Sequence, residues 1–116
     1  MNNFENILVN SARSGLRKLL GDSPAATIDF YCDSSMLAEN PHRYEKELEN
    51  MFGIGANVLR EAVLNELHMQ LGLQRLKKIR KNFADEILEV RREYHSRSNS
   101  NLASYSLSFN FLPIDL

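Results

Sequence analysis

Residues 40–73, NPHRYEKELENMFGIGANVLREAVLNELHMQLGL, spell out two helices that turn back on each other. Asn40-Pro41 is an N-cap followed by proline at the first helical position, where a missing N–H leaves no bond unmade. Tyr44, Leu48, Met51 and Phe52 then recur at helical spacing until Gly53-Ile54-Gly55 breaks the pattern. The next helix, about Gly55 to Leu71, sets Leu59, Val63, Leu67 and Leu71 on one stripe, flanked by Val58, Ala62 and Leu64. Gly72-Leu73 closes it with a left-handed glycine and an apolar residue, the Schellman arrangement. A chain with this hairpin at its centre is committed to helices, and the hairpin itself holds no catalytic set.

The flanks extend the helical reading. From Asn3 to Leu20, Phe4, Leu8, Ala12, Leu16 and Leu19 share a face with Ile7, Ser11 and Gly15, and Gly21 ends the run. The small residues Ser11, Ala12, Ser14 and Gly15 allow a neighbouring helix to come close. Ser23-Pro24 restarts a short helix, about Pro24 to Ser34, whose Ile28, Phe30, Tyr31 and Cys32 predict burial around much of its circumference. A strand is the alternative there, given the β-branched and aromatic content of residues 27–32. Asp33-Ser34-Ser35 marks an exit from regular structure.

A long final helix is predicted over about Gln74 to His95, carrying Leu76, Ile79, Phe83, Ile87, Val90 and Tyr94 at an average spacing of about 3.6. Its length of about 33 Å exceeds what a small domain needs. The subset Phe83, Ile87, Val90 and Tyr94 fits a two-heptad seam, a candidate self-association surface. Residues 96–101, SRSNSN, have the composition of a flexible linker. Beyond them Tyr105, Leu107, Phe109 and Phe111 alternate with Ser104, Ser106, Ser108 and Asn110, a period-two pattern. That pattern predicts a segment that docks or pairs with a copy, or else stays disordered.

Composition narrows the class. One domain is expected from 116 residues, with residues 1–95 as the helical unit and 96–116 as linker and tail. A single cysteine, Cys32, cannot form an internal disulfide, so a reduced cytoplasmic setting is the default. No stretch reads as a secretion signal or approaches the roughly 18 apolar residues of a membrane span. Net charge is −1, but residues 1–72 carry 6 basic against 10 acidic side chains while 73–98 carry 8 against 4. Near-neutrality favours an oligomer or a protein partner.

Candidate chemistry is sparse. His42, His68 and His95 have no metal-ligand spacing, and Glu66 and His68 fall on different sides of a helix, so solvent-facing histidines and no cofactor are expected. Cys32 lies between Asp29 and Asp33, which would raise a thiol pKa, so it reads as a buried structural residue. Gly53-Ile54-Gly55 lacks the strand and lysine of a phosphate loop and reads as a tight turn. The sharpest electrostatic signal is Arg75, Lys77, Lys78, Arg80 and Lys81. These five are candidates for nucleic-acid or anion contact, set against a plain solvated helix face. Cations early and acids late oppose that helix's dipole, an order that two antiparallel copies would compensate.

The run from Asp29 to Leu73 also resembles a small helical domain of archaeal proteins described as a predicted signalling output domain. The residues that carry the likeness are the second helix ending near Tyr31, then Pro41, Glu47-Leu48, Phe52-Gly53-x-Gly55-Ala56-x-x-Leu59, and Glu66-Leu67 with Leu71-Gly72-Leu73. The resemblance implies an all-α fold and a regulatory or interaction role, with no catalytic residues. The expectation is therefore an all-α domain of about five helices in an orthogonal or bundle arrangement, with a flexible or strand-like tail. Its expected function is a non-catalytic regulatory or protein-interaction module, with nucleic-acid binding through 75–81 as the alternative.

Overall fold

The computed structural model describes residues 3–75 and 82–107, with side chains described for 3–75 and 82–97. Its regular structure is helical: α1 (Asn3–Leu20), α2 (Asp22–Tyr31), the single turn α3 (Met36–Glu39), α4 (Pro41–Phe52), α5 (Ala56–Leu71) and α6 (Phe83–Leu107). A 3₁₀ turn at Gly53–Gly55 joins α4 to α5. The all-α expectation holds, and no strand occurs among the described residues.

The punctuation works through named hydrogen bonds. Asn40 Oδ1 accepts from the Arg43 N–H at 3.2 Å, satisfying a free donor of the first turn of α4. Gly53 ends that helix at φ +57°, and Gly72 ends α5 at φ +69°. The Gly72 N–H donates to Met69 O at 3.1 Å and the Leu73 N–H to His68 O at 2.8 Å, the two bonds of a Schellman end. The short second helix departs from its sequence reading. It starts at Asp22, capped by Gly21 without a side-chain bond, and ends at Tyr31 rather than Ser34. Pro24 is tolerated because it still lies in the first turn.

The core is set by α1 lying on α5, the most extensive helix interface. Gly15 makes the approach possible: a Cβ there would stand 2.7 Å from the Ala62 carbonyl oxygen. Ser14 and Lys18, one turn along, reach Glu66. Gly15 thus lies between Ala62 and Glu66 of α5, with Ser14 and Lys18 on either side of the crossing. Against these pack Leu8, Leu16, Leu37, Tyr44, Leu48, Val63 and Leu67, all buried, each large aliphatic side chain contributing about 1.5–3 kcal/mol.

α6 packs on α4, α5 and α1 in turn. Phe83 stacks on Tyr44 with ring centroids 6.2 Å apart, and Glu86 faces His68 near the C-terminal end of α5. Further along, Arg91 lies over the Phe4 ring at 5.3 Å and Tyr94 meets the same ring at 5.5 Å. The helix thus reaches Phe4 near the start of α1, and continues to Leu107.

Several expectations need correction. Residues 73–75 are not helical, and α6 starts at Phe83, where Asn82 Oδ1 accepts from the Asp85 N–H at 2.9 Å. Leu76 and Ile79 lie outside the described residues. At the other end the helical backbone crosses 96–101, read from composition as a linker, and runs on to Leu107. No glycine or proline stands between Gly72 and Pro113, so nothing local stops the helix, and extension is easier than nucleation. Phe109 and Phe111 lie outside the described residues. Phe30 and Tyr31, expected inside, are exposed at the end of α2, which buries only Ala25 and Ile28. Leu19, Met51, Phe52 and Val58 are also open to solvent.

Candidate functional site

Cys32 and His68 are tied into the fold, whereas the buried hydroxyls of Tyr44 and Ser34 have no hydrogen-bond partner among the described residues. Cys32 is fully buried, its Sγ–H directed at Tyr44 O at 3.7 Å. Burial first, then the charges of Glu47, Asp29 and Asp33, push the thiol up to about 11, which suppresses the thiolate a nucleophile needs. Burial likewise pushes the Tyr44 hydroxyl above its ordinary value. Among the described residues no group of three or more His, Cys, Asp or Glu side chains is placed to hold a metal ion. His42 and His95 are exposed as expected, but His68 is buried, contrary to the sequence reading. Its Nδ1 lies 2.8 Å from Leu64 O and its Nε2 3.7 Å from Glu86 Oε2, because α6 covers that face of α5.

The sequence-predicted basic site loses its first member to the interior. Arg75 forks onto Glu86 at 2.7 and 3.1 Å and onto Glu61 at 2.6 and 3.0 Å, and also donates to Asn65. Its side chain is only 12% exposed. Both carboxylates hold it charged, and it ties the connection after α5 to α5 and α6 rather than facing a phosphate. Lys77, Lys78, Arg80 and Lys81 lie outside the described residues.

The predicted self-association seam is likewise used within the chain. Phe83, Ile87 and Val90 are buried in its own core and Tyr94 is half-buried on Phe4, so these residues form no free seam between copies. The stripe was read correctly as apolar; its partner is α4 and α1 rather than a second α6. Tyr105 and Leu107, read as tail-docking residues, lie on the backbone of α6.

A groove of 530 Å³ lies between α1 and α2, with Arg13, Arg17, Asp22 and Asp29 on its walls. Its charges are internally matched: Arg13 to Asp29 at 3.3 Å and Arg17 to Asp22 at 4.0 Å. Ser34 also lines it, its buried Oγ without a hydrogen-bond partner among the described residues.

What the fold leaves open is apolar. At the α4–α5 corner the chain exposes Met51 and Phe52 from the last turn of α4, Ile54 from the 3₁₀ turn and Val58 from the first turn of α5. Ile54 is 88% exposed and Val58 56%. The cause is local: Gly53, at positive φ, reverses the chain so tightly that Ile54 faces outward. Beside the corner Arg60 joins α4 to α5, bonded to Glu49 at 2.9 Å and Asn57 and lying 3.6 Å from Glu45. An apolar centre with a polar margin is the composition of a contact surface. A second exposed step is Phe30, 81% exposed, with its ring edge against Tyr31 at 5.1 Å. Sequence reasoning missed both, because the helical stripe shows which residues are apolar and not which remain uncovered. Among the described residues no helix is long and apolar enough to cross a membrane. No family model, no curated protein and no solved structure matches this chain.

Proposed function

We propose that the chain is a non-catalytic regulatory or protein-interaction module, self-associating or docking on a partner protein through the α4–α5 corner and the Phe30–Tyr31 step. The observation that carries this reading is Ile54, a large aliphatic side chain left 88% exposed while Arg60 and Glu49 beside the turn pair with each other. Grouped exposed apolar side chains mark contact surfaces, whereas scattered single ones need no explanation. The resemblance of residues 29–73 to a signalling output domain points the same way. A reduced cytoplasmic setting suits a chain whose lone thiol is sealed in its core.

The test is a photo-crosslinking residue placed at position 54, with position 23 on an exposed polar stretch as control, in the full chain inside expressing cells. The reading expects discrete protein adducts from position 54, to itself or to another protein, and none from position 23. Absence of any adduct at 54 overturns it.

A further inference from the structure

We infer that the groove between α1 and α2 binds a free α-amino acid as its zwitterion, the carboxylate on Arg13 and Arg17 and the ammonium on Asp29 and Ser34. This goes beyond the interaction-module reading and does not depend on it.

Shape comes first. The groove holds 530 Å³, inside the range of about 300–1,000 Å³ usual for small-molecule sites. Leu16 and Ala25, both buried, give it an apolar lining. Exposure rises from Ser34, fully buried, through the side chain of Asp29 at 30% to that of Asp22 at 89%, which orders the groove from inner end to mouth.

The donors and acceptors left over define the ligand. Ser34 Oγ is buried without a hydrogen-bond partner among the described residues. Tyr44 Oη is in the same condition, so the two hydroxyls do not satisfy each other. The Ser34 N–H donates to Asp29 Oδ1 at 3.1 Å, which sets Ser34 beside the Arg13–Asp29 pair. That pair is made only through Arg13 Nε, at 3.3 and 3.4 Å, longer than the roughly 2.7–2.9 Å of a firm charge-assisted bond. Arg13 Nη1 and Nη2 have no partner among the described residues. The Arg17 side chain makes no hydrogen bond there either, its Nε standing 4.0 Å from the exposed carboxylate of Asp22. A surface contact of that kind contributes little and yields to a better-placed anion. Asp29 retains room for one more donor, since a carboxylate offers about four lone-pair sites.

Charge then selects the class. Two guanidinium groups and two carboxylates balance, so a simple anion would meet Asp22 and Asp29, and a simple cation would meet Arg13 and Arg17. A zwitterion meets each sign with its opposite. In an α-amino acid both charged groups stand on one carbon, and Arg13 and Asp29 are correspondingly adjacent. The planar, unfilled end of Arg13 suits a carboxylate, with Arg17 one turn along the same helix beside it. The ammonium then donates to Asp29 and to Ser34 Oγ, giving the buried hydroxyl the bond it lacks.

The experiment adds each proteinogenic amino acid separately, at millimolar concentration, to the isotope-labelled full chain and follows backbone amide shifts by NMR. The expected result is saturable shifts with at least one of them, centred on residues 12–18 and 22–34. The amide of that amino acid, which lacks the carboxylate, and its deaminated acid, which lacks the ammonium, should each bind about tenfold or more weakly. Arg17→Gln should keep the parent melting temperature and weaken binding. Ser34→Ala should keep or raise the melting temperature, because it removes a buried hydroxyl that bonds to nothing, and should still weaken binding. No saturable shift with any amino acid overturns the proposal, as do saturable shifts centred elsewhere. An amide or deaminated acid that binds as well as its parent overturns the zwitterion. Full affinity in either variant overturns the groove assignment.

Discussion

Lys18 Nζ lies 2.9 Å from Glu66 Oε1 across the α1–α5 interface, joining a mostly exposed ammonium to an almost fully buried carboxylate. The asymmetry shows what holds the pair. Ser14 Oγ at 3.2 Å and Gln70 Nε2 at 3.0 Å complete the set of donors around Glu66. Burial alone would raise the carboxyl, but the bonds from Gln70, Lys18 and Ser14 together with the Lys18 charge outweigh it and hold it below its ordinary value.

Acid should therefore destabilise the chain through Glu66. The folded state binds this proton less readily than the unfolded state, so the stabilisation is complete above the ordinary value of 4.5 and is lost as pH falls through the lowered folded value. Urea midpoints measured from about pH 7 to about pH 3 should fall along this limb, and Glu66→Gln should flatten it. An unchanged limb in Glu66→Gln would place the acid sensitivity elsewhere.

Gly15→Ala should lower stability although alanine is the better helix former. The propensity gain is about 1 kcal/mol, whereas forcing a methyl against the Ala62 backbone costs about 1–3 kcal/mol. The clash at 2.7 Å is with a carbonyl oxygen, which cannot swing aside like a side chain. A thermal melt should show a fall of several degrees, and Gly15→Val a larger one.

Arg75→Ala should cost about 2–3 kcal/mol, since it leaves Glu86 half-buried beside His68 without its fork. Arg75→Lys should recover only part, because an ammonium cannot bridge Glu61 and Glu86 in two parallel pairs. Guanidinium unfolding measures the loss. Hydrogen exchange should quicken at the start of α6, around Asp85 and Glu86.

Cys32 should resist thiol reagents in the folded chain at about pH 8 and react at once in denaturant. A folded-state rate comparable to the unfolded one would contradict its burial and its raised pKa of about 11.

Asn40→Ala should cost about 1 kcal/mol by removing the acceptor for the Arg43 N–H, and Asn40→Ser should retain most of it. Chemical denaturation separates the two variants.

The helix ends were legible in the sequence where one residue dictates a local geometry. Gly21, Asn40-Pro41, Gly53 and Gly72-Leu73 each fixed a boundary, and α1 spans Asn3–Leu20 as its periodicity indicates. What stayed hidden depends on distant partners. Arg75 sits in a run of cations, yet its role is decided by Glu61 and Glu86, which no local pattern connects to it. Phe30 and Tyr31 look like core residues because hydrophobicity shows the tendency to be buried, not the presence of something to bury against. The start of α6 was misplaced for a simpler reason: Asn82 followed by Asp85 is a cap signal, masked by an apolar spacing that continued upstream through Leu76 and Ile79. The corner at Ile54 was visible as a turn, but its exposure depends on which faces the other helices cover.

The pairing of Lys18 with Glu66 spans 48 positions of chain. α1 precedes α5 in the chain, and its most extensive packing surface exists only once α5 has followed. The α4–α5 hairpin, closed by a three-residue turn, can form early, while α1 has only α2 and α3 to pack on until α5 follows. The face of α1 that α5 covers therefore stays open until then, and Phe4 waits longer still, for Tyr94 of α6. The earlier helix of the pair is the one that must wait.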